Sequence, residues 1–265
     1  MISVEFLTFR IQELLPEPHA GLLAGILFGV RTDLSDGLYE DLVRTGTLHI
    51  VALSGMNITI VIALINLLLL KIMNRRLASV LTVGAIIGFV WFVGPSPSVV
   101  RAAIMGSITL LAVTTGRQAW GLWSWGIAAA VMLFFRPGWI GDLSFQLSVM
   151  ATLGIILFAS KQETKKKFFW SVLEDDFRVT LAAQVFTIPI ILFAFQRISL
   201  IAPVANILIG WVIGPMMTGG IFMSIMSLFF WPFAQLLAWI VWVPLEYILI
   251  VVTALSRIPY ASLEW

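Results

Sequence analysis

Residues 48–70 read LHIVALSGMNITIVIALINLLLL and contain no Asp, Glu, Lys or Arg. A transmembrane helix needs about 20 predominantly apolar residues, which this stretch supplies. Similar stretches recur along the whole chain: 60% of the residues are hydrophobic and only 11% are charged. Soluble domains carry about 25% charged residues, so too little polar surface is available here to face water. The sequence therefore predicts an all-α integral membrane protein and excludes a soluble enzyme.

Hydropathy predicts a polytopic transmembrane helical bundle with about eight spans. The predicted spans are residues 48–70, 77–94, 98–115, 118–135, 139–159, 179–195, 201–229 and 233–256. The seventh is long and contains Pro215 and Gly219-Gly220, so it is either one kinked helix or two short pieces. Residues 19–30 are apolar but too short to cross, and we interpret them as a short re-entrant or interfacial helix. Residues 160–178 are interpreted as a hydrophilic loop.

Basic residues are distributed unequally between the two sets of loops. One side holds Lys71, Arg75, Arg76, Arg117, Lys161, Lys165, Lys166, Lys167 and Arg178. The loops of the other side hold Arg136 and Arg197. The positive-inside rule places the first side in the cytoplasm and both termini outside the cytoplasmic (inner) membrane. Splitting the seventh span would move the C-terminus inside. The Lys165–Lys167 run is read as a membrane anchor, with contact to a nucleic-acid backbone as the alternative.

The chain is interpreted as one membrane domain, residues 1–265. Residues 1–47 would form an outer amphipathic or interfacial part, and residues 48–256 the transmembrane bundle. The chain has no cysteine and no nucleotide-binding P-loop, and its two histidines, His19 and His49, show no metal-ligand spacing. No catalytic set, cofactor site or metal site is therefore expected. A conduit or carrier that draws energy from elsewhere fits better than an enzyme.

The first polar cluster lies at the outer start of the first span and contains His49, Ser54, Gly55 and Asn57. Polar groups within the membrane are costly and usually face a bundle interior or an aqueous path. The Ser54-Gly55 pair can also kink or break the helix. Helix–helix hydrogen bonding and close packing are the alternative reading of this cluster. For His49 alone, a structural hydrogen bond competes with direct ligand contact.

The second cluster is the segment from Gly94 to Arg101, which contains Pro95 and Pro97. The prolines impose an extended turn, and Ser96 or Ser98 can cap the following helix. Arg101 is then expected in the first helical turn, where the helix dipole disfavours a cation. Three interpretations stay open for Arg101: an ion pair with Asp142, snorkelling to the outer interface, or contact with a passing phosphate.

Two further polar positions complete the candidate set. Gln146 lies one helical turn inward from Asp142, on the same face, and Asn206 begins the seventh span together with Gly210 and Gly214. Glycines four residues apart allow helices to approach closely. The same spacing occurs at Gly21, Gly25 and Gly29 and at Gly84 and Gly88. These faces allow a homodimer, although they can also be wholly internal.

Taken together, these segments resemble the membrane-embedded competence domain of the ComEC family of bacterial DNA-uptake channels. The resemblance rests on LPEPHAGLLAG at 15–25, TGTLHIVALSG at 45–55, GPSPSVVRA at 94–102, FQLS at 145–148 and the region Pro203–Asn206. Each motif is weak alone, but their order and spacing extend over about residues 13–225. The family often has a second histidine two residues after the Ser-Gly pair, where this chain has Asn57.

The resemblance implies a channel that moves single-stranded DNA across the cytoplasmic membrane during natural transformation. Its partners would be single-stranded DNA, the lipid bilayer, and a separate DNA receptor, nuclease and cytoplasmic motor. His49, Ser54, Gly55, Asn57, Arg101 and Gln146 would line the DNA path. Structural support would come from Gly94, Pro95, Pro97, Asp142 and Asn206.

Family members usually also carry an outer oligonucleotide-binding-like domain, and many carry a metallo-β-lactamase-like domain. The 265 residues contain neither, which fits both a minimal member and a fragment. Two other functions agree with the same sequence. One is a small-solute membrane transporter, which also uses broken helices and polar groups near the midplane. The other is a non-conducting scaffold that recruits uptake proteins through residues 160–178.

Overall fold

The computed structural model describes residues 3–30, 34–159 and 168–264, with only the backbone of 168–176 and 264. Twelve α-helices and one pair of short strands account for most of these residues. A helix is present in each of the eight segments that hydropathy marks as spans. The all-α class of a helical membrane protein is therefore confirmed.

The helices are α1 (Val4–Leu14), α2 (His19–Phe28), α3 (Asp36–Arg44), α4 (Leu48–Val51), α5 (Gly55–Leu70), α6 (Arg75–Val93), α7 (Pro97–Thr114), α8 (Gly121–Phe135), α9 (Leu143–Phe158), α10 (Phe168–Phe195), α11 (Ala202–Phe229) and α12 (Trp231–Ser256). A short 3₁₀ helix, Pro137–Gly141, precedes α9. Strands β1 (Arg197–Ser199) and β2 (Ser262–Glu264) pair antiparallel, with Arg197 opposite Glu264.

Five of the described helices are long and apolar enough to cross a bilayer. They are α6, α7, the Phe177–Phe195 part of α10, α11 and α12. The other three predicted spans form α5, α8 and α9, which have 16, 15 and 16 residues. At 1.5 Å per residue these are about 22–24 Å long, less than the hydrocarbon thickness of about 30 Å. The number of crossings and the side of each terminus stay predictions.

Backbone contacts divide the chain into two compact units. Unit 1 contains Met1–Leu53 and Arg197–Trp265, and unit 2 contains Ser54–Gln196. The boundaries therefore fall at 53/54 and 196/197, whereas hydropathy suggested a division at 47/48. The chain enters unit 2 within the segment that was predicted as the first span. The reading of residues 1–265 as one functional domain stays a prediction.

Helix α2 lies in the core of unit 1, and all ten of its residues are buried. Leu23 and Leu27 pack against Gly220 of α11, where a Cβ atom would lie 2.8 Å from the Leu23 side chain. An interfacial helix would leave one face exposed to water or lipid headgroups. Helix α2 leaves no such face, because it packs on all sides against the rest of unit 1, which favours the re-entrant over the interfacial alternative for residues 19–30.

Helix α11 is continuous through Pro215, which settles the alternative between one helix and two pieces for residues 201–229. A proline removes one backbone hydrogen bond, but neighbouring groups can compensate within a packed bundle. The residues around Pro215, from Val212 to Met217, include several that are fully buried, so packing holds the helix together there.

The first predicted span is not one continuous helix. Helix α4 ends at Val51, and α5 begins at Gly55 after an extended segment that includes Ala52 and Ser54. The sequence-based expectation that the Ser54-Gly55 pair breaks the helix is confirmed. The break leaves the four-residue α4 in unit 1 and α5 in unit 2.

The predicted loop at 160–178 is wrong over its second half, because α10 already begins at Phe168. The charged residues Glu174, Asp175 and Asp176 lower the local hydropathy, but they do not oppose helix formation as Gly or Pro would. Hydropathy located the apolar part of this helix and missed its hydrophilic extension. Lys161 and Lys165–Lys167 lie outside the described residues.

The glycine spacings have different outcomes. Gly25 packs against the Val51 side chain, in agreement with the predicted close approach. Gly84, Gly88 and Gly214 have no atom within 4 Å of the position that a Cβ would occupy. The predicted close helix packing is therefore absent at these three glycines. A close helix approach is found instead at Gly154 of α9, which lies against the backbone carbonyl of Ala182 in α10.

Helix α3 is amphipathic, as the sequence of residues 31–47 indicated. Ser35 caps its first turn by accepting from Leu38 N, and its buried residues are Leu38 and Leu42. On its exposed side, Glu40 accepts a hydrogen bond from Arg197 Nη2 at 2.6 Å. This bond holds the pKa of Glu40 below its usual value, since the guanidinium favours the carboxylate form.

We expect Glu40→Gln to destabilise unit 1 at neutral pH by no more than a few degrees in Tm, because Glu40 is half exposed. Because the pKa is lowered, the ion pair stabilises the folded state fully at every pH above the usual pKa of a glutamate. Its contribution is lost as the pH falls through the lowered folded-state value. Thermal unfolding in detergent, from about pH 7 to pH 3, measures the difference between the two proteins. Asp41→Asn, a neighbouring change on α3, is the control, and an equal pH dependence there would refute the assignment.

Substitution of Gly154 by Ala should destabilise unit 2 by about 1–3 kcal/mol, the usual cost of overpacking. The added methyl group would overlap the Ala182 carbonyl, so α9 and α10 would have to separate. Gly126→Ala is the matched control, because Gly126 lies in helix α8 with open space around it. Thermal unfolding of both variants in detergent checks the prediction. Equal Tm values for the two would contradict it.

Candidate functional site

Ser54 and Asn57 form the N-terminal cap of α5. Ser54 Oγ accepts a hydrogen bond from Asn57 N at 3.4 Å and donates one to Asn57 Oδ1 at 2.9 Å. This reciprocal arrangement satisfies a backbone donor that the first turn of a helix otherwise leaves unpaired. Asn57 is only 1% exposed, so its amide depends on protein partners. Hydrogen bonds thus connect Ser54 to Asn57 within the first turn of α5. Ser54 lies in the break between α4 and α5 and also caps the start of α5.

Gly55 and Arg101 are brought together by the packing of α5 against α7. The guanidinium of Arg101 lies so close to Gly55 that a Cβ atom there would overlap Nη2. Helix α7 begins at Pro97, so Arg101 is its fifth residue and lies just beyond the first turn where it was predicted. Gly55 therefore has a steric role, since it makes room for a large cation inside unit 2.

Arg101 is held by helix α9. Its Nη1 donates to the Ser148 carbonyl and to Thr152 Oγ1. Both acceptors are neutral. The guanidinium is directed into the packed helices of unit 2, which disagrees with the snorkelling interpretation.

The ion pair with Asp142, one of the three interpretations of Arg101, is not formed. Asp142 instead caps α9, accepting from Ser144 N at 2.7 Å and from Phe145 N at 3.1 Å. A carboxylate is stabilised at a helix N-terminus by the unpaired backbone donors and the helix dipole. Ser148 is six residues further along α9, a rise of about 9 Å. Asp142 thus lies at the start of α9, whereas Arg101 contacts α9 almost two turns further along.

The charge of Arg101 has no acidic counterpart within the part of the chain that the structure describes. No carboxylate lies within ion-pair distance of it there, and its Nε is buried without a hydrogen-bond partner. The helix that carries it, α7, is one of the five membrane-crossing candidates. Unit 2 therefore contains a half-buried cation that is solvated by a carbonyl and a hydroxyl only.

Gln146 and the Gly94–Pro97 segment have local structural contacts. Gln146 Nε2 donates to the Ile140 carbonyl at 2.8 Å and so ties α9 to the preceding 3₁₀ helix. Gly94 has a φ of +100°, a conformation that glycine adopts readily and other residues rarely do. Ser96 occupies the N-cap position of α7, but its side chain makes no capping hydrogen bond. Pro97, at the first turn, needs no N–H partner.

His49 and Asn206 belong to unit 1. His49 is exposed, and its Nδ1 lies 2.9 Å from the Gly46 carbonyl, as expected for a local structural hydrogen bond. Asn206 lies in the first part of α11, and its Oδ1 is buried with no hydrogen-bond partner among the described residues. The geometry therefore groups Gly55 with Arg101 and Ser54 with Asn57. His49 and Asn206 are not members of that arrangement.

Sequence reasoning missed a second polar contact, between His19 of α2 and Glu246 of α12, whose Nε2 and Oε2 atoms lie 2.7 Å apart. The sequence did indicate that Glu246 needs a polar partner, because it is the single charged residue in α12. A carboxylate in such a helix requires a partner. Among the described residues, no three His, Asp or Glu side chains cluster as metal ligands.

Ser54→Ala should destabilise unit 2 by about 0.5–2 kcal/mol, because α5 loses its cap and buried Asn57 loses a partner. Ser96→Ala removes a serine from the same helical position of α7, where the side chain makes no capping bond, and should have little effect. Thermal unfolding of the two variants under one detergent condition provides the comparison. The capping role is rejected when both substitutions lower Tm equally.

Comparison with known proteins assigns the chain to a family. A family model described as "Competence protein" matches residues 26–265. ComE operon protein 3 of Bacillus subtilis (strain 168) is 27% identical over 245 residues, which are 86% of this chain and 30% of that protein. An uncharacterized protein of Aquifex aeolicus (strain VF5) is 27% identical over 156 residues, which are 58% of this chain and 37% of that protein.

The chain thus spans about a third of the length of the curated relatives that it matches. No solved structure matches it significantly. The family match covers all of unit 2 and unit 1 from residue 26 onward, and it includes every residue of the polar arrangement around Arg101. By this match, and by its similarity to ComE operon protein 3, the chain belongs to the ComEC family of competence proteins.

Proposed function

We propose that this chain forms a path for single-stranded DNA across the cytoplasmic membrane during natural transformation. Family membership supports a role in competence, and the apolar helices support a location in a membrane. The channel activity itself is our inference. It rests on one observation above the others, which is the environment of Arg101 in unit 2.

An arginine in an apolar helix costs free energy unless an opposite charge or a bound ligand compensates for its own charge. Here the guanidinium is solvated by the Ser148 carbonyl and the Thr152 hydroxyl, with no carboxylate partner among the described residues. Neutral acceptors reduce the cost of desolvation but leave the net charge in place. A cation of this kind favours an anionic group nearby, and guanidinium matches the geometry of phosphate oxygens. A DNA backbone supplies such groups in series.

Single-stranded DNA also requires a driving force. Each phosphate that moves to a negative interior works against about 2.3 kcal/mol per 100 mV. The sequence contains no P-loop that could supply ATP-driven force. We therefore propose that a separate cytoplasmic motor draws the strand inward, and that a separate receptor and nuclease deliver it. In this proposal the chain acts as a conduit, with no catalytic step of its own.

A path for a strand differs from a site for a small solute. A transporter would close around a compact ligand, whereas a conduit needs only intermittent phosphate contacts along its length. A non-conducting scaffold would need no internal cation. The charge of Arg101 favours the conduit over the scaffold, and the uptake experiment below separates all three.

We expect Arg101→Gln to reduce uptake of labelled DNA by about tenfold or more, equivalent to about 1.4 kcal/mol of lost stabilisation. Arg101→Lys should recover part of the loss, because it keeps the charge but not the planar fork of donors. Arg117→Gln is the control, since Arg117 is an exposed residue that follows the same helix. Cells must show equal membrane levels of each variant, and protected internal DNA is the readout.

Normal uptake with Arg101→Gln would remove Arg101 from the DNA path. Normal uptake in a strain that lacks the whole gene would refute the conduit and make the small-solute transporter the leading function. Loss of uptake in the deletion strain, with full function in every charge variant at Arg101, would favour the scaffold. Equal defects for Arg101→Gln and Arg117→Gln would indicate a general effect of positive charge.

A further inference from the structure

A second polar pair lies within unit 1, apart from the residues assigned to the DNA path. His19 Nε2 of α2 lies 2.7 Å from Glu246 Oε2 of α12. Trp242, one turn before Glu246 on α12, stacks on the imidazole with ring centroids 5.4 Å apart. His19 is 7% exposed, so the ring is enclosed by α12 and the rest of the core. The two ionisable side chains therefore face each other, with the His19 ring enclosed and the Glu246 carboxylate partly exposed.

The position of Glu246 along α12 makes this pair unusual. It lies 10 residues before Ser256 and 15 residues after Trp231, or about 15 Å and 22 Å from the two ends of the helix. Helix α12 is a candidate membrane span and contains no other charged residue. Ionisable groups at such depth are costly, and they commonly mark proton or ion sites.

Other ionisable groups on neighbouring elements are occupied elsewhere or exposed. On α1, Arg10 pairs with Glu13 at 3.0 Å and lies 5.3 Å from the Trp231 ring centroid, and Glu5 is exposed. In α4, His49 contacts the Gly46 carbonyl, and on α12 Tyr247 donates to the Leu208 carbonyl.

The remaining elements add no charge to the pair. Helix α11 has no ionisable residue. On α3, Asp36, Tyr39 and Glu40 are exposed, and Glu40 is paired with Arg197, whereas Asp41 and Arg44 are partly exposed. Glu17, which precedes α2, accepts from Gly21 N. Within the described residues, none of these groups bonds to His19 or Glu246.

We propose that His19 and Glu246 together form a proton-binding site that holds one exchangeable proton inside unit 1. With one proton shared, the pair has no net charge: it is either imidazolium with carboxylate or imidazole with carboxylic acid. Uptake transfers a proton from hydronium to the Glu246 oxygen or on to His19 Nε2 and leaves water. Release returns the proton to water and leaves one negative charge on the pair.

Two features identify the ligand as a proton. The pair offers only two metal-ligating side chains, and no third His, Asp or Glu among the described residues joins them as a ligand for a metal ion. The second imidazole nitrogen, Nδ1, is buried and has no hydrogen-bond partner among the described residues, so the ring changes its protonation without breaking another bond. The Glu246 side chain is 37% exposed, and it provides the route of exchange. A proton site at this depth allows a transmembrane pH gradient to act on unit 1.

The test is infrared difference spectroscopy of the purified chain in lipid, recorded after pH jumps between about pH 5 and 8. We expect a pH-dependent difference band of the pair, which is the carbonyl stretch of a protonated carboxylic acid or, for the imidazolium form, an imidazolium ring band, and which both Glu246→Gln and His19→Gln remove or shift. His49→Gln is the matched control, because it removes the chain's other histidine and should leave the band unchanged. The proposal is overturned if the wild-type protein shows no such band, or if either Glu246→Gln or His19→Gln leaves the band unaltered.

A second measurement avoids substitutions at the pair, in case these prevent folding. In ¹⁵N-histidine-labelled His49→Gln protein, His19 is the single imidazole, so its nitrogen resonances are assigned without ambiguity. We expect both ring nitrogens to change reversibly with pH and Nε2 to show a strong hydrogen bond to an oxygen. Resonances that stay constant over the same pH range, or that show two equivalent free nitrogens, would reject the site. Neither experiment depends on DNA transport.

Discussion

The structure depends on the need to satisfy polar groups within apolar helices by contacts inside the chain. Water is not available in a bilayer core, so every buried donor or acceptor must find a protein partner or lose several kcal/mol. In unit 2, the Arg101 guanidinium of α7 is solvated by Ser148 and Thr152 of α9. In unit 1, His19 of α2 is paired with Glu246 of α12. These contacts specify which helices are neighbours, because a different pairing would leave a charge without a partner.

Close packing provides the attraction between helices where lipid surrounds them, because the hydrophobic effect cannot provide it there. Lipid tails are as apolar as leucine side chains, so association relies on van der Waals contact and on small residues. Gly154 allows α9 to meet the Ala182 carbonyl of α10, and Gly220 receives Leu23 and Leu27 of α2. Gly55 serves a different purpose, because the group that it admits is the guanidinium of Arg101. These three glycines thus either let two helices approach closely or make room for a charge.

The family assignment and the geometry bear on function in different ways. The family match covers residues 26–265 and assigns the chain to the competence proteins, but it assigns no role to any side chain. The geometry shows that Ser54 and Asp142 are helix caps and that Gln146 supports a turn. The contacts of these three residues are structural and do not depend on the function of the chain. Arg101 is different, because its positive charge exceeds what its neighbours need for packing.

The sequence by itself determined the class of the protein, the location of its apolar helices and the break before Gly55. These properties depend on local composition: about 20 apolar residues make a span, and a serine followed by glycine interrupts a helix. It did not determine that α10 extends back to Phe168, because hydropathy measures apolar length and not helical length. Only the tertiary structure decided that Arg101 meets Ser148 and not Asp142, and that His19 meets Glu246, 227 residues away. Such pairs depend on which helix faces pack together, and no local pattern in the sequence encodes that choice.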